Sequence, residues 1–214
     1  MTLAVILAHG DLTFTAEVED LVRRADLLIA ADGGSLHAVA HGWWPQLLIG
    51  DLDSTPPEVR DQLAAHGAEV RPYSPRKDET DTELALHAAL AHGADEIILL
   101  GAIGDRLDHS LANIFLLALP AAAGARVALV TGRQRLLVIR DRAEIHGRVG
   151  DLVSLLPLGG DVRGIRTMGL EYPLQGETLP FAIPRGISNV LTAPVAVVSV
   201  ESGMLLAIVT REPK

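Results

Sequence analysis

The feature that most constrains the fold is an alternation of short apolar runs with helical patterns, sustained from Leu3 to Thr131. AVILA is followed by AEVEDLVRRA, LLIAA by SLHAVAHG, LLIG by PPEVRDQLAAHG, and EVRPY by TDTELALHAALAHG; EIILLG, DHSLANIFLLAL and VALVT complete the series. Strand, helix, strand at this spacing specifies βαβ units, hence a parallel sheet with helices on both faces. After about Gly132 the helical patterns stop. RLLVIRD, DLVSLLPL, VRGIRTMGLEYPL, APVAVVSVE and GMLLAIVT are strand-like and broken by Gly and Pro, which predicts an all-β sandwich or barrel-like sheet pair. The expected division is therefore a Rossmann-like α/β domain over 1–132 and a β-sandwich over 133–214, with the boundary between Thr131 and Gln134.

At 49% hydrophobic content the chain has ample material for a core. It has no cysteine, which excludes disulfides, thiolate zinc sites and nucleophilic Cys catalysis. The opening MTLAVILAHG lacks a basic region, and its apolar stretch is too short for a signal peptide or a membrane span, so it reads as a first strand and the expected location is cytoplasmic. Acidic residues outnumber basic ones by 27 to 18, with no Lys/Arg block of the kind that tracks a phosphate backbone. Neither nucleic acid nor a membrane is an expected partner.

An open parallel sheet places its site at the carboxyl ends of its strands, and here four consecutive strands end in acid. Asp32-Gly33-Gly34 follows LLIAA, Gly50-Asp51-Leu52-Asp53-Ser54 follows LLI, Asp78-Glu79-Thr80-Asp81 follows EVRPY, and Gly101 through Asp105-Arg106-Leu107-Asp108-His109 follows EIILL. Helix capping is the competing reading for Asp81 and Asp108, each just before a helical pattern. Asp51-Leu52-Asp53 resists it, because in an extended segment residues i and i+2 aim two carboxylates at one point. That arrangement is repulsive without a cation, and a hard oxygen donor set favours Mg²⁺ carrying substrate phosphates. Glycines at 33, 34, 50, 101 and 104 would let backbone N–H groups approach a polyphosphate. Neither a GxxxxGK[ST] loop nor a GxGxxG turn is present, so P-loop and NAD chemistry are disfavoured. Lys77 and Arg106 flank the acids and suit phosphate; a solvated surface role is the alternative, more for Lys77 than for Arg106. Trp43 and Trp44, beside Pro45, read as packing a loop onto the sheet, and His109 as a supporting residue rather than a base.

Taken in order, AADGG, IGDLDS, KDETDTELAL, GAIGDRLDHSLANIFLL, GLEYPL and ISN resemble thiamine pyrophosphokinases, from about Ala30 to Gly203. The resemblance implies ATP as co-substrate, thiamine as acceptor, and a homodimer in which thiamine binds where one subunit's catalytic domain meets the other's β domain. It makes Asp51, Asp53 and Asp81 the metal and catalytic carboxylates, with Asp108 also catalytic and Asp32 completing the cluster. Asp32, Gly33, Lys77, Thr80 and Arg106 would serve ATP, and Ser188 and Asn189 thiamine. Two departures stand out: some members carry glutamine where Lys77 stands, and Val190 to Gly203 lacks the tryptophan that eukaryotic-type members stack on thiamine. A related pyrophosphokinase for a pterin-like alcohol and a non-catalytic thiamine or nucleotide sensor are the alternatives.

Overall fold

A computed structural model describes residues 1–119 and 124–213. The chain divides into two compact units, Met1–Gly132 and Arg133–Lys214.

The first unit is built on strands β1 (Leu3–Leu7), β2 (Leu27–Ala31), β3 (Leu47–Gly50), β4 (Glu69–Pro72), β5 (Glu96–Leu100) and β6 (Arg126–Thr131). They pair in parallel in the spatial order β6-β5-β1-β2-β3-β4. The chain therefore steps outward from β1 to the edge at β4, then returns to lay β5 against the other side of β1. Central strands are almost wholly apolar because both faces are covered: β2 is buried throughout, and in β5 Ile97 to Leu100 are fully buried after Glu96. The connecting helices are α1 (Ala16–Arg24), α2 (Gly34–Ala40), α3 (Pro57–Ala65), α4 (Asp81–Ala91) and α5 (Leu107–Leu116). α1 shows why these segments are helical. Thr15 caps it by accepting from the Val18 amide, Glu17 and Glu19 sit at its positive end, and Arg23 and Arg24 at its negative end. Trp43 packs on the core of this unit and stacks with His41, which stacks with Phe14. Trp44 does not pack inward; it lies flat on His66 at 3.5 Å, and the pair stays at the surface.

In the second unit β7 (Gln134–Ile139), β9 (Leu152–Pro157), β12 (Asn189–Val190) and β14 (Leu205–Thr210) form one antiparallel set in the order β12-β9-β14-β7. β8 (Arg142–His146), β10 (Val162–Met168), β11 (Gln175–Leu179) and β13 (Val195–Ser199) form the other, in the order β11-β10-β13-β8. Their inner faces enclose a common apolar core including Ile139, Ile145, Val153, Ile165, Leu191, Val198 and Leu205. β8 and β11 are not anticipated from the sequence. Both are mostly polar, and each contributes one fully buried side chain, Ile145 or Leu179. Among the described residues no helix is long and apolar enough to cross a membrane.

Candidate active site

A cleft of about 650 Å³ opens at the carboxyl ends of the parallel strands in the first unit. It spans the place where strand order reverses, between β1 and β5, where such sheets bind ligands. The segment after β1 supplies His9, that after β2 Asp32, that after β3 Asp51 and Asp53, that after β4 Lys77, Thr80 and Asp81, and that after β5 Asp105 and Arg106.

Asp32, Asp51 and Asp53 each present a carboxylate oxygen such that the three lie within 4.8 Å of one another. The convergence expected for Asp51 and Asp53 is present, but its route differs. The segment is not extended: β3 ends at Gly50, Leu52 has φ +63°, and the Asp53 amide donates back to Asp51 Oδ1 at 3.2 Å. A turn, rather than strand alternation, gathers the two acids. Asp32 also sits in the left-handed region, at φ +41°, and is buried. Its Oδ1 accepts from Thr55 Oγ1 at 3.1 Å and from the Ser54 amide at 3.3 Å. Burial raises its pKa above the ordinary carboxylate value, opposed by the hydrogen bonds of Thr55, Gly33 and Ser54, while the charge of Asp81 pushes it further up.

Asp81 reaches the same region from the start of α4. Thr80 caps that helix, its hydroxyl accepting from the Glu83 amide at 3.2 Å, so capping does not explain Asp81. Asp81 Oδ1 is sealed from solvent and has no aligned hydrogen-bond donor. Its nearest cation is Lys77 Nζ, 2.9 Å away as an ion pair, and the same ammonium lies 3.3 Å from Asp51 Oδ2. Lys77 is not a solvated surface residue, since only 11% of its side chain is exposed. Burial works to lower its pKa, but the hydrogen bonds and charges of Asp81 and Asp51 outweigh it and hold the ammonium above its ordinary value.

The segment after β5 is mixed in charge and less buried. Arg106 lines the cleft and pairs with Asp108 at 2.6 Å, both side chains being 66% exposed. The arginine's hydrogen bond holds the Asp108 carboxyl below its usual range. Asp108 neither lines the cleft nor caps α5, whose N-cap is Arg106; the acid facing the cleft from this strand end is Asp105, with His109 beside it. Gly33 does not line the cleft either; a Cβ there would collide with the imidazole of His9.

Two supporting residues escape sequence reasoning. Ser110 Oγ accepts from the Gly104 amide at 3.0 Å and donates to the Gly104 carbonyl at 3.2 Å; Asn113 Nδ2 donates to the Ala102 carbonyl at 2.8 Å. Both are buried, so they tie the segment between β5 and Arg106 to the helix after it. The signal available was two polar residues three apart, on the covered side of a largely apolar helix.

Ser188 and Asn189 lie in the second unit. Ser188 has φ +58°, and its amide donates to Ser154 Oγ at 3.1 Å. The Asn189 side chain is committed to protein: its Oδ1 accepts from the Tyr172 amide at 3.0 Å, and its Nδ2 donates to the Tyr172 carbonyl at 2.7 Å. Tyr172 as a whole is 66% exposed.

The carboxylate donors fit a hard divalent cation: oxygens only, three of them convergent, and a fourth acid oxygen, sealed from solvent, whose nearest partner is the Lys77 ammonium. An open α/β unit with an acid-lined cleft at its strand ends, followed by a β-sandwich, defines the class as a two-domain protein with a site suited to a cation and an anionic ligand. Residues 18–129 match the family model described as thiamin pyrophosphokinase, catalytic domain, and residues 139–205 the one described as thiamin pyrophosphokinase, vitamin B1 binding domain. The chain belongs to the thiamin pyrophosphokinase family. A thiamine pyrophosphokinase of Bacillus subtilis is 25% identical over 211 residues, covering 95% of this chain and 96% of that one. Crystal structures of thiamine pyrophosphokinases from Bacillus subtilis and Geobacillus thermodenitrificans superpose with TM-scores of 0.87 and 0.82 at 26% and 28% identity. Both cover 100% of this chain, and 100% and 99% of their own.

Proposed function

We propose that this chain is a thiamine pyrophosphokinase, transferring a pyrophosphoryl group from ATP to thiamine to give thiamine diphosphate and AMP. The observation that carries the reading is the convergence of Asp32, Asp51 and Asp53 in the cleft of a chain matched by both family domains. Neither the pterin-type nor the sensor alternative is supported by these matches.

The hydroxyethyl oxygen of thiamine attacks the β phosphorus of ATP, the bond from that phosphorus to the oxygen bridging it to the α phosphorus breaks, and AMP departs with that oxygen. The hydroxyl proton passes to a carboxylate of the cluster. Such transfers depend on positioning and charge neutralisation more than on covalent catalysis. Asp32, Asp51 and Asp53 would hold Mg²⁺, with Asp81 available as a fourth carboxylate, and the ion would supply charge neutralisation to phosphate oxygens. Arg106 and the open amide end of α5 present positive charge to phosphate from the other wall, while Lys77 and Thr80 approach it from the segment before α4. Asp108 acts through Arg106, orienting its guanidinium. In the second unit Ser188 and Asn189 serve the thiamine side, Asn189 by fixing the backbone of Tyr172. A homodimer in the cytoplasm belongs to the same proposal, and light scattering tests the former.

The assay is chromatography of the products. With Mg²⁺, ATP and thiamine, AMP and thiamine diphosphate should accumulate in equal amounts, and neither when the metal is chelated. ADP with thiamine monophosphate would refute the assignment.

A further inference from the structure

Asp32, Asp51, Asp53 and Asp81 all approach the end of β3, and such a group of carboxylates repels itself unless something positive is near. Among the described residues one cation is within ion-pairing distance of any of the four. Lys77 Nζ lies 3.3 Å from Asp51 Oδ2 and 2.9 Å from Asp81 Oδ1. Both Asp51 oxygens thus have a partner, since the other accepts from the Asp53 amide. Lys77 lies outside the helix that carries Asp81. Its four-carbon stem gives the ammonium freedom that the acids, fixed by turn backbone and by Thr55, lack.

We propose that the Lys77 ammonium is the resident counterion of this cluster: it occupies Asp51 and Asp81 until a divalent cation takes Asp51, and is then transferred to the phosphates of the nucleotide. The inference rests on the metal–nucleotide site proposed above and adds an order to it. Metal alone must displace the ammonium from Asp51 and leave it with Asp81 as its one anionic partner. Metal arriving with a polyphosphate gives that ammonium a new partner. Metal and nucleotide consequently strengthen each other's binding, and by linkage the coupling is reciprocal. Lys77 is a positioning residue here, and its effect on the metal is opposite in sign with and without nucleotide.

The test uses the full chain and Mn²⁺ as the probe, titrated by electron paramagnetic resonance. Without nucleotide, Lys77→Met should bind Mn²⁺ about 10-fold more tightly than the parent chain, equivalent to about 1.4 kcal/mol, and Lys77→Arg should match the parent. With a non-hydrolysable ATP analogue, the order should reverse, Lys77→Met binding the Mn²⁺–nucleotide pair more weakly. Circular dichroism verifies folding, and Lys77→Gln, also uncharged, repeats the measurement should the methionine variant fail to fold. Unchanged or weaker Mn²⁺ binding by the uncharged variants without nucleotide, or no binding by any of the proteins, would overturn the proposal. Because this readout involves no turnover, it is independent of whether AMP or ADP is the product.

Discussion

Gly50 closes β3 at the point where the acids meet, and replacing it by alanine examines whether that meeting depends on a bare backbone. Its φ of +144° belongs to a region that L side chains rarely adopt. A methyl group there would stand 2.9 Å from Asp81 Oδ1 and 3.0 Å from Asp32 Cβ. The backbone cost is about 1–3 kcal/mol, and crowding against two packed side chains adds about 1–3 kcal/mol. A total of about 2–6 kcal/mol would lower a urea midpoint by about 1–3 M, at a slope of about 2 kcal/mol/M. Part of the strain can be relieved by pushing Asp81 and Asp32 apart, and displacements on the order of 1 Å in a reacting site cost about 100-fold in rate. Urea melts with chelator, Mn²⁺ titration and turnover can all be measured on one preparation of Gly50→Ala. A midpoint shift below about 0.25 M together with parental metal affinity would refute the reasoning, showing that the acids do not need the space the glycine leaves.

Asp53→Asn removes one charge at an exposed position while keeping an oxygen for the 2.9 Å hydrogen bond from Ser54 Oγ; stability should stay within about 0.5 kcal/mol and turnover fall by at least about 100-fold, and parental kcat at limiting Mg²⁺ would rule out Asp53 as a ligand. Asn189→Ala frees the Tyr172 backbone at a cost of about 1 kcal/mol in a solvent-exposed setting. KM for thiamine should rise about 10-fold while KM for ATP stays within about twofold; equal effects on both substrates would remove Asn189 from the thiamine side.

The parallel sheet is legible in the sequence because its central strands are covered on both faces and so read as unbroken apolar runs, as in LLIAA and the IILL of β5. RAEIH and QGETL escape because each has a single fully buried side chain and leaves the core to be supplied mainly by other strands. The acids at strand ends are visible for the same reason as the strands: position along the chain fixes which end they occupy. Direction is not visible. Asp108 and Asp105 are three residues apart at one strand end, and only the path into α5 decides that Asp105 faces the cleft while Asp108 holds Arg106. The turn at Leu52 is equally hidden, because a left-handed φ at leucine is imposed by surrounding structure and has no residue signature.

The return of the chain from β4 to β5 bears on how the first unit is made. Until β5 arrives, one edge of β1 has no partner, although Ala4 to Leu7 are among the most deeply buried residues of the finished unit. A chain that has emerged only through Asp81 thus carries its carboxylates on an incomplete sheet with an apolar edge open to other chains. Closing that edge needs a pairing across about 90 residues of sequence, Leu3 with Glu96, which makes it a slow step of assembly. The unit should therefore behave as one cooperative block, with the β1 amides among the last to exchange with solvent, and a truncation before Glu96 should yield aggregate rather than a smaller folded protein.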